Sequence, residues 1–174
     1  MFVNLTDVLH GEDKTVTMQI EPEMEAVTIG KETYPVIRKT SFLMTFTNVE
    51  HGKAQVTGEG GITFSMPCGR CLKDVEKTLE LSFDRTVFSP DRSISPDDSD
   101  DQEYMNGYQM DVEGLLYSEI VINWPMKVLC RPDCRGICRQ CGQDLNTGTC
   151  DCDTFVPDPR MAAIQDIFNG SKEV

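Results

Sequence analysis

The chain has 174 residues, a formal net charge of −13 and eight cysteines, with 39% hydrophobic and 26% charged residues. That length holds one domain, or a domain with a small module, and no apolar run approaches the roughly 18 residues that a membrane-spanning helix needs. The opening MFVNLTDVLHGEDK has no basic segment followed by an apolar core; it does not read as a secretory signal, and a cytoplasmic location is expected.

Residues 15–20, TVTMQI, place Val16, Met18 and Ile20 on one side, which predicts a strand. Residues 21–41 predict short strands or turns around Pro22 and Pro35. Phe42, Met44 and Phe46 alternate with Leu43, Thr45 and Thr47, giving another strand, with a turn over 48–52. The run 53–66 carries Val56, Ile62, Phe64 and Met66. Its Gly58, Gly60 and Gly61 suggest a bulge or sharp bend in a long strand. After PCGRCLKD, the residues Leu79, Leu81, Phe83 and Val87 keep a period of two. Residues 1–89 therefore read as an antiparallel β-rich meander with Cys68 and Cys71 at a hairpin tip.

Residues 90–107, PDRSISPDDSDDQEYMNG, bury too little apolar surface to offset their ordering entropy and read as an acidic disordered linker. An arm contacting a basic partner is the functional alternative. In residues 108–174, Asp111 reads as the cap of an amphipathic helix running to about Asn123. Val112, Leu115, Leu116 and Ile120 share its face, Glu119 intrudes on that face and Val121 lies off it. Trp124-Pro125 stops it, since the residue before proline avoids the helical region. A cysteine-rich stretch follows. Asp158-Pro159 then opens a short terminal helix with Met161, Ile164 and Phe168 as its stripe and Gly170 as its stop. The fold class is α+β, with the β-rich half and the C-terminal part expected to form one cooperative unit.

The cysteines come in four close pairs: Cys68-x-x-Cys71, Cys130-x-x-x-Cys134, Cys138-x-x-Cys141 and Cys150-x-Cys152. Thiols of a reducing compartment at this spacing suit a soft metal ion better than disulfides. His10 and His51 lie far from every pair in sequence, so the expected ligands are all sulfur. Cys138-x-x-Cys141-Gly142 has the form of a zinc knuckle, and Cys150 and Cys152 follow an eight-residue loop containing Asn146 and Gly148. These four are expected to bind one zinc ion. Few apolar residues lie nearby, so the metal would supply the folding energy of this module. Cys68, Cys71, Cys130 and Cys134 are expected to bind a second ion that ties the hairpin tip to the module. A mixed arrangement, with Cys68 and Cys71 joining Cys138 and Cys141, is also open. Iron, alone or in an iron–sulfur cluster, suits the same ligands.

Thiol–disulfide exchange is the competing chemistry, favoured by Arg70, Arg131, Arg135 and Arg139 within or beside the pairs. Against it, a thioredoxin-like CxxC opens a helix after a strand, whereas this one lies between two antiparallel strands. Lys127, Arg131, Arg135 and Arg139 form a basic row in an acidic chain. The row either compensates metal–thiolate charge or contacts RNA phosphates.

PCGRCL after a glycine-bearing strand, the acidic gap, the helix ending in proline, CRPDCRGICRQCGQDLN, CDC and DPRMAAI together resemble the YceD family, the large ribosomal RNA subunit accumulation protein. The resemblance covers most of the chain. It implies a bacterial cytoplasmic protein that supports accumulation of large-subunit ribosomal RNA as an assembly or stability factor. It offers no catalytic residues, so no enzyme is expected, and it brings over the eight cysteines as candidate metal ligands. A chain at −13 is poorly built to coat RNA. The expected partner is thus a basic ribosomal protein or a protein-rich surface of the assembling large subunit. Direct ribosomal RNA binding through the basic row, and a thiol-based redox or zinc switch, are the alternatives.

Overall fold

Alternation of apolar and polar residues builds one main sheet. The computed structural model describes residues 1–92 and 103–152. A short strand β1 (Phe2–Asn4) and a helical turn α1 (Thr6–His10) precede β2 (Thr15–Ile20), β3 (Ala26–Ile29), β4 (Glu32–Lys39), β5 (Phe42–Glu50), β6 (Lys53–Pro67) and β7 (Asp74–Phe88). β6 and β7 pair along their whole length, from Lys53 opposite Phe88 to Pro67 opposite Asp74. The other edge of β6 is shared. β5 occupies it from Lys53 to Glu59 and β4 from Ile62 to Phe64. β4 and β5 are therefore halves of one long strand, broken at Thr40-Ser41. β2 pairs with β5 and β3 with β4 in the same antiparallel sense. The six strands thus make a four-rung antiparallel meander, in keeping with the sequence pattern.

The bulge or bend suggested at Gly58, Gly60 and Gly61 is absent on the β7 side, where the register runs unbroken. The glycines have another cause. A Cβ on Gly58 would lie 2.2 Å from the Phe83 ring, and one on Gly60 would lie 2.6 Å from Phe42. Two aromatic rings rest on bare backbone. The break falls in the neighbouring strand instead, where Thr40 N–H donates to Gly61 O at 2.9 Å and Gly61 N–H donates to Thr40 Oγ1 at 2.8 Å.

The inward face carries Phe42, Met44, Phe46, Val56, Ile62, Phe64, Leu79, Leu81 and Phe83, all buried. A second sheet, β1–β9–β8, adds β8 (Met105–Asn106) and β9 (Gln109–Asp111), and leads into α2 (Val112–Ile122). Of the segment 90–107 expected to be a disordered linker, 93–102 lie outside the described residues. Residues 103–107 form a turn and β8, because Tyr104 is buried and Met105 pairs with Met110. α2 spans the predicted range and buries Val112, Leu115, Leu116 and Ile120 against the core. Asp111 sits at its N-cap without a side-chain capping bond. The intruding Glu119 is 3% exposed and meets Arg85 of β7 at 2.7 Å. Arg85 occupies an inward position between Phe83 and Val87, so the helix carboxylate has a built partner. The terminal helix expected from Asp158 to a stop at Gly170 lies outside the described residues. No helix among the described residues is long and apolar enough to cross a membrane.

Candidate metal centres

The β6–β7 ladder delivers the first cysteine pair. Cys68 continues the inward-facing even positions of β6 after Phe64 and Met66. Its N–H donates to Lys73 O at 2.8 Å, and Leu72 N–H folds back onto Cys68 O at 3.0 Å. The second pair repeats the pattern. Cys138 N–H donates to Gln143 O at 2.8 Å and Gly142 N–H to Cys138 O at 2.9 Å. In both, the residue after the second cysteine has a left-handed backbone: φ is 61° at Leu72 and 75° at Gly142. These are two copies of one knuckle. The glycine expected to allow the turn is present in the second copy, and a leucine takes that place in the first.

The chain leaving α2 runs onto the first knuckle, with Gly69 N–H donating to Val128 O at 2.8 Å. Cys130 and Cys134 then face Cys71 and Cys68, with Sγ···Sγ distances of 3.5 Å and 3.8 Å. All four sulfurs lie within 4.8 Å of one another, as do those of Cys138, Cys141, Cys150 and Cys152. A tetrahedral ion with metal–sulfur bonds of about 2.3 Å separates its sulfurs by about 3.8 Å. A disulfide requires about 2.05 Å. The spacing fits a shared ion, and the eight thiols are free. The structure brings together the two sets named from the simplest pairing; the mixed pairing is not the one it adopts. Each cluster can hold a metal ion.

The clusters differ in exposure. In the first cluster Cys68, Cys71 and Cys134 are buried and pack with Val75, Leu129 and Ile137, and Cys130 is exposed. In the second cluster Cys138 is buried, Cys150 and Cys152 are half-buried and Cys141 is exposed.

Backbone dipoles prepare the sulfurs for a cation. The Cys71 N–H aimed at its sulfur holds Cys68 down at about 6 against burial, helped by the Arg70 and Cys130 N–H groups. The N–H groups of Cys141 and Gln140 bring Cys138 to about 6 in the same way. At Cys134 burial opposes ionisation, but the Gly136 N–H and the Asn146 amide outweigh it and the thiol is lowered. Burial and the Cys134 sulfur push Cys130 up to about 12. The Cys141 side chain and burial push Cys152 up to about 12. Four crowded sulfurs do not all ionise unaided; a dication held among them would supply the missing charge.

Polar side chains join the clusters. Arg70 Nη1 donates to Cys134 O at 2.6 Å, and Ile137 N–H donates to Arg70 O at 3.2 Å. Lys73 Nζ lies 2.6 Å from Asp144 Oδ2, and this ion pair with the Asn146 N–H holds the Asp144 carboxyl down at about 2. Asp144 and Lys73 are site residues that the sequence does not single out, and Asn146 is marked there only as part of the loop before Cys150. A polar loop between cysteine pairs signals only solvation.

Lys127, Arg131, Arg135 and Arg139, the predicted basic row, are all exposed. Arg131 is already engaged, with Nη2 donating to Asn146 Oδ1 at 2.9 Å and Nε 3.4 Å from Asp133. His10 and His51 lie against each other, with ring centroids 5.7 Å apart, and neither belongs to a cysteine cluster.

Among known proteins, the chain is similar to the uncharacterized protein Rv2926c of Mycobacterium tuberculosis and to the uncharacterized protein Mb2951c of Mycobacterium bovis. Each is 28% identical over 91 residues, covering 52% of this chain. The chain spans 44% of the length of either relative. No solved structure matches it. The model of the YceD family, described as large ribosomal RNA subunit accumulation protein YceD, matches residues 56–168, a span that takes in all eight cysteines. The chain belongs to the YceD family.

Proposed function

We propose that this protein is a non-enzymatic, zinc-stabilised factor that supports accumulation of large-subunit ribosomal RNA, and that it acts in the cytoplasm through a basic ribosomal protein or the assembling large subunit. The observation that carries the reading is the meeting of Cys68 and Cys71 with Cys130 and Cys134. It would let one ion fasten the tip of the β6–β7 hairpin to the C-terminal module. Two filled clusters use all eight sulfurs, which leaves no thiol for redox turnover and favours a structural role for the metal. Zinc fits an all-thiolate tetrahedral set. A formal charge of −13, made more negative by each tetrathiolate centre, favours a basic protein over a phosphate backbone.

Affinity capture of the zinc-loaded full chain from ribosome-assembling cells tests the partner. Recovery of a ribosomal protein, retained after nuclease treatment, is the expected result. Recovery of ribosomal RNA alone contradicts it.

A second reading rests on the exposure of Lys127, Arg131, Arg135 and Arg139 beside the clusters. Through them the protein would touch ribosomal RNA directly. That binding would weaken steeply with salt, with a slope set by a few phosphate contacts; no binding even at low salt removes this alternative.

A further inference from the structure

Asn146 belongs by sequence to the second cluster, in the loop between Cys141 and Cys150, yet its side chain serves the first. Its Nδ2 donates toward Cys134 Sγ at 3.5 Å. Its Oδ1 accepts from the Arg135 N–H at 2.8 Å and from Arg131 Nη2 at 2.9 Å, which grips the chain on either side of Cys134. Asp144 holds Asn146 in place, with Oδ1 accepting from Asn146 N–H at 2.9 Å and from Nδ2 at 2.7 Å. Asp144 Oδ2 in turn pairs with Lys73, two residues beyond Cys71. Leu145 N–H donates to Gly136 O at 2.9 Å, between the two clusters.

The loop 142–149 has Leu145 as its sole aliphatic residue larger than glycine. It cannot order itself by burial. An ion bridging Cys141 to Cys150 and Cys152 would close it, and closing it places Asn146 against Cys134. An N–H donated to a thiolate ligand disperses sulfur charge and orients the ligand. Outer partners of this kind are worth about ten- to a hundredfold in metal affinity.

We propose that the two clusters are thermodynamically coupled metal sites, with Asn146 the positioning residue through which filling of Cys138/Cys141/Cys150/Cys152 tightens binding at Cys68/Cys71/Cys130/Cys134. The inference rests on the metal-binding reading above. Coupling is reciprocal, so the first ion tightens the second by the same factor. Because the second cluster is the more open, with one buried cysteine against three in the first, it exchanges with solvent first and sets the grip of the more enclosed one.

The test uses the full chain and Zn²⁺. Affinity at the first cluster is measured by competition with a chelator, with occupancy read as protection of Cys68 and Cys71 from alkylation. In the parent chain, Cys150→Ser/Cys152→Ser weakens the first cluster about tenfold. In an Asn146→Ala background the same pair of substitutions has no further effect. In Co²⁺-loaded protein, Asn146→Ala moves the sulfur-to-cobalt charge-transfer band to lower energy, because one sulfur loses a donor. Mere loosening of the loop would lower occupancy and leave the band in place. An unchanged first-cluster affinity when the second cluster is removed overturns the coupling. A loss that persists in the Asn146→Ala background overturns the role of Asn146. Should the serine variant not stay soluble, Asn146→Ala alone decides: unchanged affinity with an unmoved band overturns the proposal. A chain that binds no Zn²⁺ at either cluster overturns the metal reading itself, and the coupling with it.

Discussion

Leu72 and Gly142 occupy the same place in two copies of one turn, both with positive φ, 61° and 75°. An L-residue side chain in that conformation costs about 1–2 kcal/mol, and glycine is exempt. Leu72 is 64% exposed, so its side chain returns little burial. Leu72→Gly is expected to stabilise the metal-loaded protein by up to about 1 kcal/mol, after the extra unfolded-chain entropy of glycine is subtracted. Gly142→Leu is expected to destabilise it by about 1–2 kcal/mol, although no atom lies within 4 Å to clash with a Cβ there. Thermal unfolding of the two variants checks the opposite signs.

Gly58 is a seat for Phe83. A methyl group there would sit 2.2 Å from the ring. Gly58→Ala is expected to cost about 1–3 kcal/mol through overpacking of the sheet's inner face. Phe83→Leu in the same chain recovers part of the loss by vacating the space. Urea unfolding of the single and double variants measures both.

Glu119 is buried on α2 and Arg85 answers it from β7. Arg85→Met leaves a carboxylate buried without its cation and is expected to destabilise by about 3–5 kcal/mol. Arg85→Met/Glu119→Leu replaces the pair by apolar groups and is expected to lie close to the parent. Chemical denaturation separates the outcomes; equal losses in the single and double variants would contradict this account of the pair.

Much of this was legible in the sequence, and what was not has physical causes. The alternation in 15–20, 42–47 and 79–87 marks strands because one sheet face is buried. The apolar face of α2 is marked by Val112, Leu115, Leu116 and Ile120, although Glu119 interrupts it. α1 is too short to show a period, with Val8 and Leu9 its only buried residues. The break at Thr40-Ser41 depends on what β6 offers across the sheet. Gly58 resembles a bulge until Phe83 is seen above it. Close cysteine pairs mark candidate metal ligands locally, but Asn146 reaches Cys134, twelve residues away, through a fold of the loop that carries no composition signal.

Proton release on metal binding follows from the thiols. Near pH 8, Cys71 and Cys130, whose thiols are raised, arrive protonated at the first cluster, while Cys68, held near 6, arrives ionised. Filling this cluster is therefore expected to release two to three protons per Zn²⁺ rather than four. The sign with pH is fixed: as pH falls through about 6, Cys68 takes up a proton, one more must leave on binding, and affinity falls more steeply. Calorimetry of Zn²⁺ binding in buffers of different ionisation enthalpy counts the protons. Four released per ion at pH 8 would show that the N–H groups aimed at Cys68 have no effect.

Elemental analysis of the intact protein beside a Cys68→Ser/Cys71→Ser variant reaches the centre of the account. Two zinc ions per chain are expected in the first and one in the second, with the β6–β7 hairpin tip then open to protease. Equal metal content in the two proteins, or an intact chain that is free of metal and still ordered from Ile137 to Cys152, would contradict it.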